Sequence, residues 1–452
     1  MRRVIERRAV LSGASVHVHR VAWFGGVYVA SALVVKLATS LALLWLGREL
    51  PVEQYAAVGL LYALQIGVGS FAGVGIAEVV IGSLRDHRSE AERDWLFRTA
   101  VTMFLLSGAF VSGAGWIVAA VSGGTMKLGG VERLSAIAAG AVTAFSALQA
   151  QMLRLQEHHL RSLSFSFVIP LSMVAMGSLA FLLNRSVAAF FIGEALGGGV
   201  MLAALRLAGV GCWSFSLGNP AVWSAFRKVP AFATIAVFGW LSGYGANFMI
   251  SMLATAPEVA TFTILFTVAS SMQLLASSFN MVWGPHFYRL VHQGVPNKVE
   301  RENRRFFLLL GLTLGLAGGV VIAFLPLGLR FFGGNLTSYE AVSLKEFLLL
   351  VGYVFVIPWW HCQNYYLVFD KGRELRNNVI VTGVLGVAAW IAAILMFGAV
   401  GIYVGFAVQM FLRSMGIVMG ARRFWSLGIS WEGVFAGVVL CGIGLLISHV
   451  SQ

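Results

Sequence analysis

Three charges, Lys36, Glu78 and Glu194, sit within apolar runs of membrane-spanning length, and these are the positions from which the sequence could do chemistry. A charge at the bilayer centre costs roughly 2.5–3.5 kcal/mol on insertion scales, so it is normally kept for a partner, a cargo or a proton. Lys36 lies about 15 Å from the end of the first run, with Thr39 and Ser40 one turn further on the same face. Facing a wet cavity it would hold an anion; facing an acid on a neighbouring helix it would be structural. Glu194, in the sixth run, lies about 10 Å from the same surface, so the two could meet, and protonation of Glu194 would then free Lys36 for an anion. Glu78 is within one turn of solvent, which suits an interfacial residue as well as an ion-coupling one. His286 and Arg289 share a helix face at i and i+3 near the end of the eighth run. Arg289 has the donor geometry to receive an anion there and serves equally well as a loop anchor.

The uncharged polar residues Gln65, Asn247, Gln273, Asn280 and Gln409 are candidates to line a cavity, or to bond between helices at about 0.6 kcal/mol each. The stretch from Pro358 to Tyr366 combines an expected kink with Trp360 and Asn364, suited to stacking and hydrogen-bonding a ligand or to an interfacial aromatic belt. Cys212, Cys362 and Cys441 are far apart, giving neither a disulfide framework nor a metal site. No nucleotide-binding loop is present, and no cofactor is expected.

The elements that must position these residues follow from composition. With 58% hydrophobic and 11% charged residues among 452 and a mean hydropathy of +0.83, a soluble fold could not hide the apolar surface. Runs of about 20 residues recur, enough to cross the hydrocarbon layer. Thirteen spans are expected, near 21–46, 55–82, 96–121, 131–153, 163–184, 187–207, 229–252, 257–282, 305–329, 343–368, 377–398, 400–420 and 431–449. The joining segments are too short for a soluble domain. Arg2 to Arg8 and the following apolar stretch imitate a secretory leader, but apolarity continues to Leu46, as a first span requires.

Basic residues alternate between the two sides with this count. Of 32, 25 fall on one side, among them Arg227, Arg289, Arg413 and Arg423, and six on the other. The positive-inside rule makes the basic side, with the N-terminus, cytoplasmic. It also accounts for the net charge of +13 without a nucleic-acid partner.

The fold class expected is an all-α polytopic membrane protein of two six-helix bundles, related as parallel repeats around a central cavity, plus one extra C-terminal helix. In each half the second span follows an acid, Glu53 or Glu258, and leads to a charged loop, 85–98 or 289–305. The expected division is 1–207 for the N-terminal lobe, 208–228 for a linker with the amphipathic segment 221–228, 229–420 for the C-terminal lobe, and 421–452 for a peripheral thirteenth helix and tail.

The stretch from Leu46 to Tyr55, the segment Val282-Trp283-Gly284-Pro285, the turn Asp370-Lys371-Gly372-Arg373 and Gly401-Ile402-Tyr403-Val404-Gly405 resemble, in order and spacing across residues 20 to 420, the Wzx-type polysaccharide flippases. These belong to the multidrug and oligosaccharidyl-lipid exporter superfamily. The resemblance implies two lobes that open alternately to each side and carry an undecaprenyl-pyrophosphate-linked glycan outward across a bacterial inner membrane. Membrane lipids and other polysaccharide-assembly proteins are the implied partners. The chain departs from the family at Ala246-Asn247-Phe248, where an acidic and basic pair is usual, and this puts a carboxylate-coupled scheme at that place in doubt. Two other readings stand beside it: a small-molecule exporter of the same superfamily, and a membrane polymerase or ligase for lipid-linked glycans, which the short outward loops disfavour. The expected site is Lys36, Asn247, Asn280, His286, Arg289, Trp360 and Asn364 for substrate, and Glu194 and Glu78 for ion coupling.

Overall fold

The computed structural model describes residues 2–73, 76, 90–122, 128–156, 158–215, 236–293, 296–339, 342–369, 371–423 and 428–450. Glu78, the amphipathic segment 221–228 and most of the expected linker lie outside them. The described residues form helices and no strand: α1 (Arg2–Glu49), α2 (Val52–Phe71), α3 (Glu90–Ser122), α4 (Gly130–Leu155), α5 (His159–Asn184, with a π turn at Ser164–Val168), α6 (Val187–Leu207), α7 (Ala246–Leu253), α8 (Ala256–Ala269), α9 (Ser271–His292), α10 (Pro296–Phe332), α11 (Ser343–Phe355), α12 (Ile357–Val368), α13 (Gly372–Ala421) and α14 (Trp431–Val450). Ten helical stretches are long and apolar enough to cross a membrane, and the chain is a multi-pass membrane protein.

Local chemistry sets the boundaries. The backbone N–H of Thr255 donates to Glu258 Oε2 at 2.7 Å and that of Gly129 to Glu132 Oε2 at 2.8 Å, so the acids placed at these starts cap the first turns of α8 and α4. The expected tenth span is broken at Val356 into α11 and α12, because Pro358 cannot donate to the helical ladder. α13 holds the expected eleventh and twelfth spans as two arms folded at Gly398, whose φ of 57° and ψ of −133° suit a residue without a Cβ.

α2, α4, α5 and α6 pack into one bundle; α10 to α13 pack into the other. α2 also runs along α8 and forms the seam between bundles. α14 is docked against the C-terminal bundle. It lies along α10, where Gly311 faces Gly433, and a Cβ on Gly315 would sit 2.5 Å from Gly437 Cα. Small residues let the two backbones approach, the usual device where lipid removes any hydrophobic drive for helix association.

The seam is shut on the half that carries few basic residues. Leu46, Leu50 and Tyr55 are buried there with Leu336 and Tyr339, and Asn335 Nδ2 donates to the Leu50 carbonyl at 2.8 Å. Deeper, Gly59 of α2 meets Thr263 of α8, and Trp240 Nε1 donates to the Ala63 carbonyl at 2.9 Å. Below Trp240 the bundles part.

Candidate functional site

The parting makes a cavity of about 450 Å³ in the half nearer the basic loops. Ile66 and Ser70 of α2 form one wall. Gln273 of α9, Trp359, Trp360 and Gln363 of α12, Met410 and Arg413 of α13, and Trp240 and Tyr244 are among the residues that line the other walls. Arg413 is the lining residue that carries a charge, and its guanidinium carbon lies 4.0 Å from the centroid of the Trp359 ring. Stacking on an indole holds the planar cation while leaving N–H donors at its edge for an anion. Tyr353 and Trp360 add a parallel pair at 6.3 Å and 17°, so the cavity offers one cation among flat aromatic faces.

Lys36 stands beside the cavity at its closed end. Its Nζ donates to Tyr244 Oη and to Ser270 Oγ, both at 2.8 Å, and lies 5.5 Å from the Tyr244 ring centroid. A cation of the N-terminal bundle is thus held by two hydroxyls of the C-terminal bundle. Glu194 is 2% exposed; Gln65 is its hydrogen-bond partner, and its Oε2 has no partner among the described residues. Lys36 and Glu194 therefore do not pair. Tyr244 and Tyr62 stand between them, with ring centroids 5.1 Å apart at 86°, because depth along two helices does not fix the direction in which each side chain points.

Of the other expected residues, Trp360 lines the cavity. Asn247 is buried behind it; Thr263 Oγ1 donates to its Oδ1 at 3.0 Å, and its Nδ2 donates to the Tyr244 carbonyl at 3.1 Å. It braces the residues that hold Lys36. Asn280 and Asn364 form a pair, Asn364 Nδ2 donating to Asn280 Oδ1 at 2.9 Å, and Tyr288 Oη donates to Asn364 Oδ1 at 3.2 Å. His286 is half-buried near Trp283, with centroids 5.4 Å apart, and Arg289 is exposed in the last turn of α9. The structure does not bring His286 and Arg289 to the cavity lining. Among the described residues no group of His, Cys, Asp and Glu could hold a metal ion.

Sequence reasoning missed Arg413, counted with the basic loops because it lies near Arg422 and Arg423. It also missed Trp240 and Tyr244, and placed Trp359 only within the aromatic stretch 358–366. Aromatic clustering beside a mid-helix arginine was the available signal. Glu346 was missed as well: it is fully buried and neither carboxylate oxygen has a partner among the described residues.

No protein-family model matches the sequence, and no curated protein matches it. Solved structures do. A multidrug-resistance MATE family transporter of the MOP superfamily in an inward-facing conformation superposes with a TM-score of 0.63 at 14% identity, over 87% of this chain and 98% of that one. The lipid II flippase MurJ, in an inward-closed conformation, gives 0.63 at 11% identity over 94% and 93%. A Vibrio cholerae MATE transporter gives 0.54 at 12% identity over 89% and 95%. Likeness at such low identity is likeness of architecture, and the chain has the two-bundle, all-α membrane fold that MATE transporters share with the lipid II flippase.

Proposed function

We propose that the protein is an alternating-access flippase that moves a lipid-linked oligosaccharide carrying a pyrophosphate from the basic side of a bacterial inner membrane to the other. The observation that carries the reading is the pairing of Arg413 with Trp359 in a cavity whose described lining holds no carboxylate. A cation stacked on an aromatic face suits a phosphate, Arg413 offering its donor edge, and the remaining aromatic faces suit sugars. Lys36, one hydroxyl away, is the second cation an anionic headgroup would meet as the seam opens. The Wzx-like segments named above and the fold of the lipid II flippase support the same reading. The N-terminus is assigned to the cytoplasm by the basic loops. With no nucleotide-binding loop, transport draws on an ion or substrate gradient, and Glu194, buried with one oxygen unpartnered, is the group assigned to exchange a proton. His286, Arg289, Asn280 and Asn364 are assigned to the path by which the headgroup approaches.

A second reading is favoured by volume. A cavity of about 450 Å³ falls in the range of small-molecule sites, as in a drug exporter with this fold. Arg413 disfavours cationic drugs and leaves small anions.

Reconstitution separates the two. In proteoliposomes with fluorescent lipid-linked oligosaccharide in both leaflets, an external quencher should reach all of the label when the protein is present and only the outer-leaflet share when it is absent. Transport of small aromatic anions with no movement of the glycolipid would instead establish the exporter.

A further inference from the structure

The second arm of α13 faces two spaces. On one side it presents Met410 and Arg413 to the central cavity. On the other, Leu412, Met415 and Met419 wall a separate groove of about 480 Å³ between the two arms. The groove is graded. Glu374, Asn377 and Arg423 stand at its mouth near the basic loops, and Val381 and Leu385 continue it into the apolar region. From Glu374 to Leu385 the helix climbs about 16 Å, close to the depth of one leaflet.

Val381, Leu385 and Met419 are 57%, 54% and 63% exposed, as lipid-facing residues are. The mouth is less ordinary, because a carboxylate and a guanidinium both lie within electrostatic reach of the Tyr366 hydroxyl. Glu374 makes only a loose pair with Lys371 at 3.5 Å, both side chains being nearly half exposed, and exposed pairs of this kind hold weakly. Arg423 has no ion-pair partner among the described residues. A headgroup carrying only negative charge would meet Arg423 favourably and Glu374 unfavourably; a zwitterion with a primary ammonium satisfies both.

We propose that this groove holds one aminophospholipid of the leaflet on the basic side, with its phosphate on Arg423 and Asn377, its ammonium on Glu374, and an acyl chain along Val381 and Leu385. The site is separate from the cargo cavity and independent of what that cavity carries. A lipid seated there would pack against the outer side of the arm that presents Arg413 inward.

The test is competition followed by mapping. The full chain, purified in mild detergent with equal amounts of phosphatidylethanolamine and phosphatidylglycerol, is examined by native mass spectrometry. A photoactivatable phosphatidylethanolamine is then crosslinked and the adducts located. One phosphatidylethanolamine should be retained about tenfold or more over phosphatidylglycerol, the loss of one charge-assisted hydrogen bond being worth that factor. Adducts should fall on 374–385 and 412–423. Arg423→Gln should weaken both lipids, Glu374→Gln should erase the discrimination, and Leu385→Trp should block the groove to either. Equal retention of the two lipids, adducts spread over the lipid-facing surface, or a second copy of the chain occupying the groove would each overturn the proposal. The wild-type competition and map decide it even if a variant does not fold.

Discussion

Gly59 of α2 and Thr263 of α8 touch across the seam so closely that a Cβ on Gly59 would sit 3.0 Å from Thr263 Cβ and closer still to its hydroxyl. The N-terminal and C-terminal bundles meet there backbone to side chain, and Thr263 is itself tied to Asn247. Parting of the two bundles on the basic-poor side would break this contact.

Gly59→Val should therefore hold the seam ajar. Overpacking costs typically about 1–3 kcal/mol, enough to raise the population of the opened state by roughly five- to a hundredfold. In a background lacking the three native cysteines, a reporter at Ala56, buried here, should change from protected to labelled by an impermeant maleimide added on the basic-poor side. Protection equal to the parent would show that Gly59 does not gate.

Lys36→Ala should abolish export of the surface glycan while the protein stays abundant in the membrane, because it deletes the cation bonded to Tyr244 and Ser270. Tyr244→Phe keeps the ring and removes one acceptor, so its loss should be partial. Normal glycan at normal abundance in Lys36→Ala would remove Lys36 from the transport cycle.

Arg413→Gln should lower flipping by at least about tenfold, the range expected for losing a charge-assisted contact to phosphate. Arg413→Lys should recover less than half of it, since an ammonium neither stacks flat on Trp359 nor donates bidentately. The check is initial rate in proteoliposomes at matched protein; equal rates for the parent and Arg413→Gln would refute a cargo-binding role.

Glu194→Gln keeps the shape and the Gln65 neighbour but cannot exchange a proton. Transport by this variant should no longer respond to an imposed proton gradient, whatever its residual rate. A response matching the parent would move the coupling elsewhere, with Glu346 the next buried carboxylate to test.

Gly433→Leu should reduce membrane abundance several-fold, since the added side chain has only the α10 backbone at Phe307 and Leu308 to meet. Fluorescence-detected size exclusion of a tagged chain measures it, and unchanged abundance would mean that α14 docks only loosely.

Much of the fold could be read from the sequence, because membrane-spanning length is a property of single runs: 187–207 and 431–449 coincide with α6 and α14 almost residue for residue. The broken span at Pro358 was legible for the same local reason. What was not legible depends on rotation about helix axes. Arg413 was counted with the loops since nothing in its own run shows that α13 turns it onto Trp359. Lys36 and Glu194 lie within reach of one another in depth, yet two tyrosines from other helices separate them. The docking of α14 did leave a trace, since Gly311, Gly315 and Gly319 recur every four residues, as do Gly433 and Gly437. That spacing marks a close-packed helix face.

The glycine-lined contact between α10 and α14 bears on how the two bundles share the work of a cycle. Two helices joined along their backbones, with few side chains between them to change rotamer, move as one bar. α14 thereby stiffens the C-terminal bundle, and among the described residues no matching extra helix braces the other. Bending during opening should then concentrate in α1 and α2, where Lys36 and Gly59 lie, while the half holding Arg413 keeps its shape as a fixed cradle against which the other half flexes.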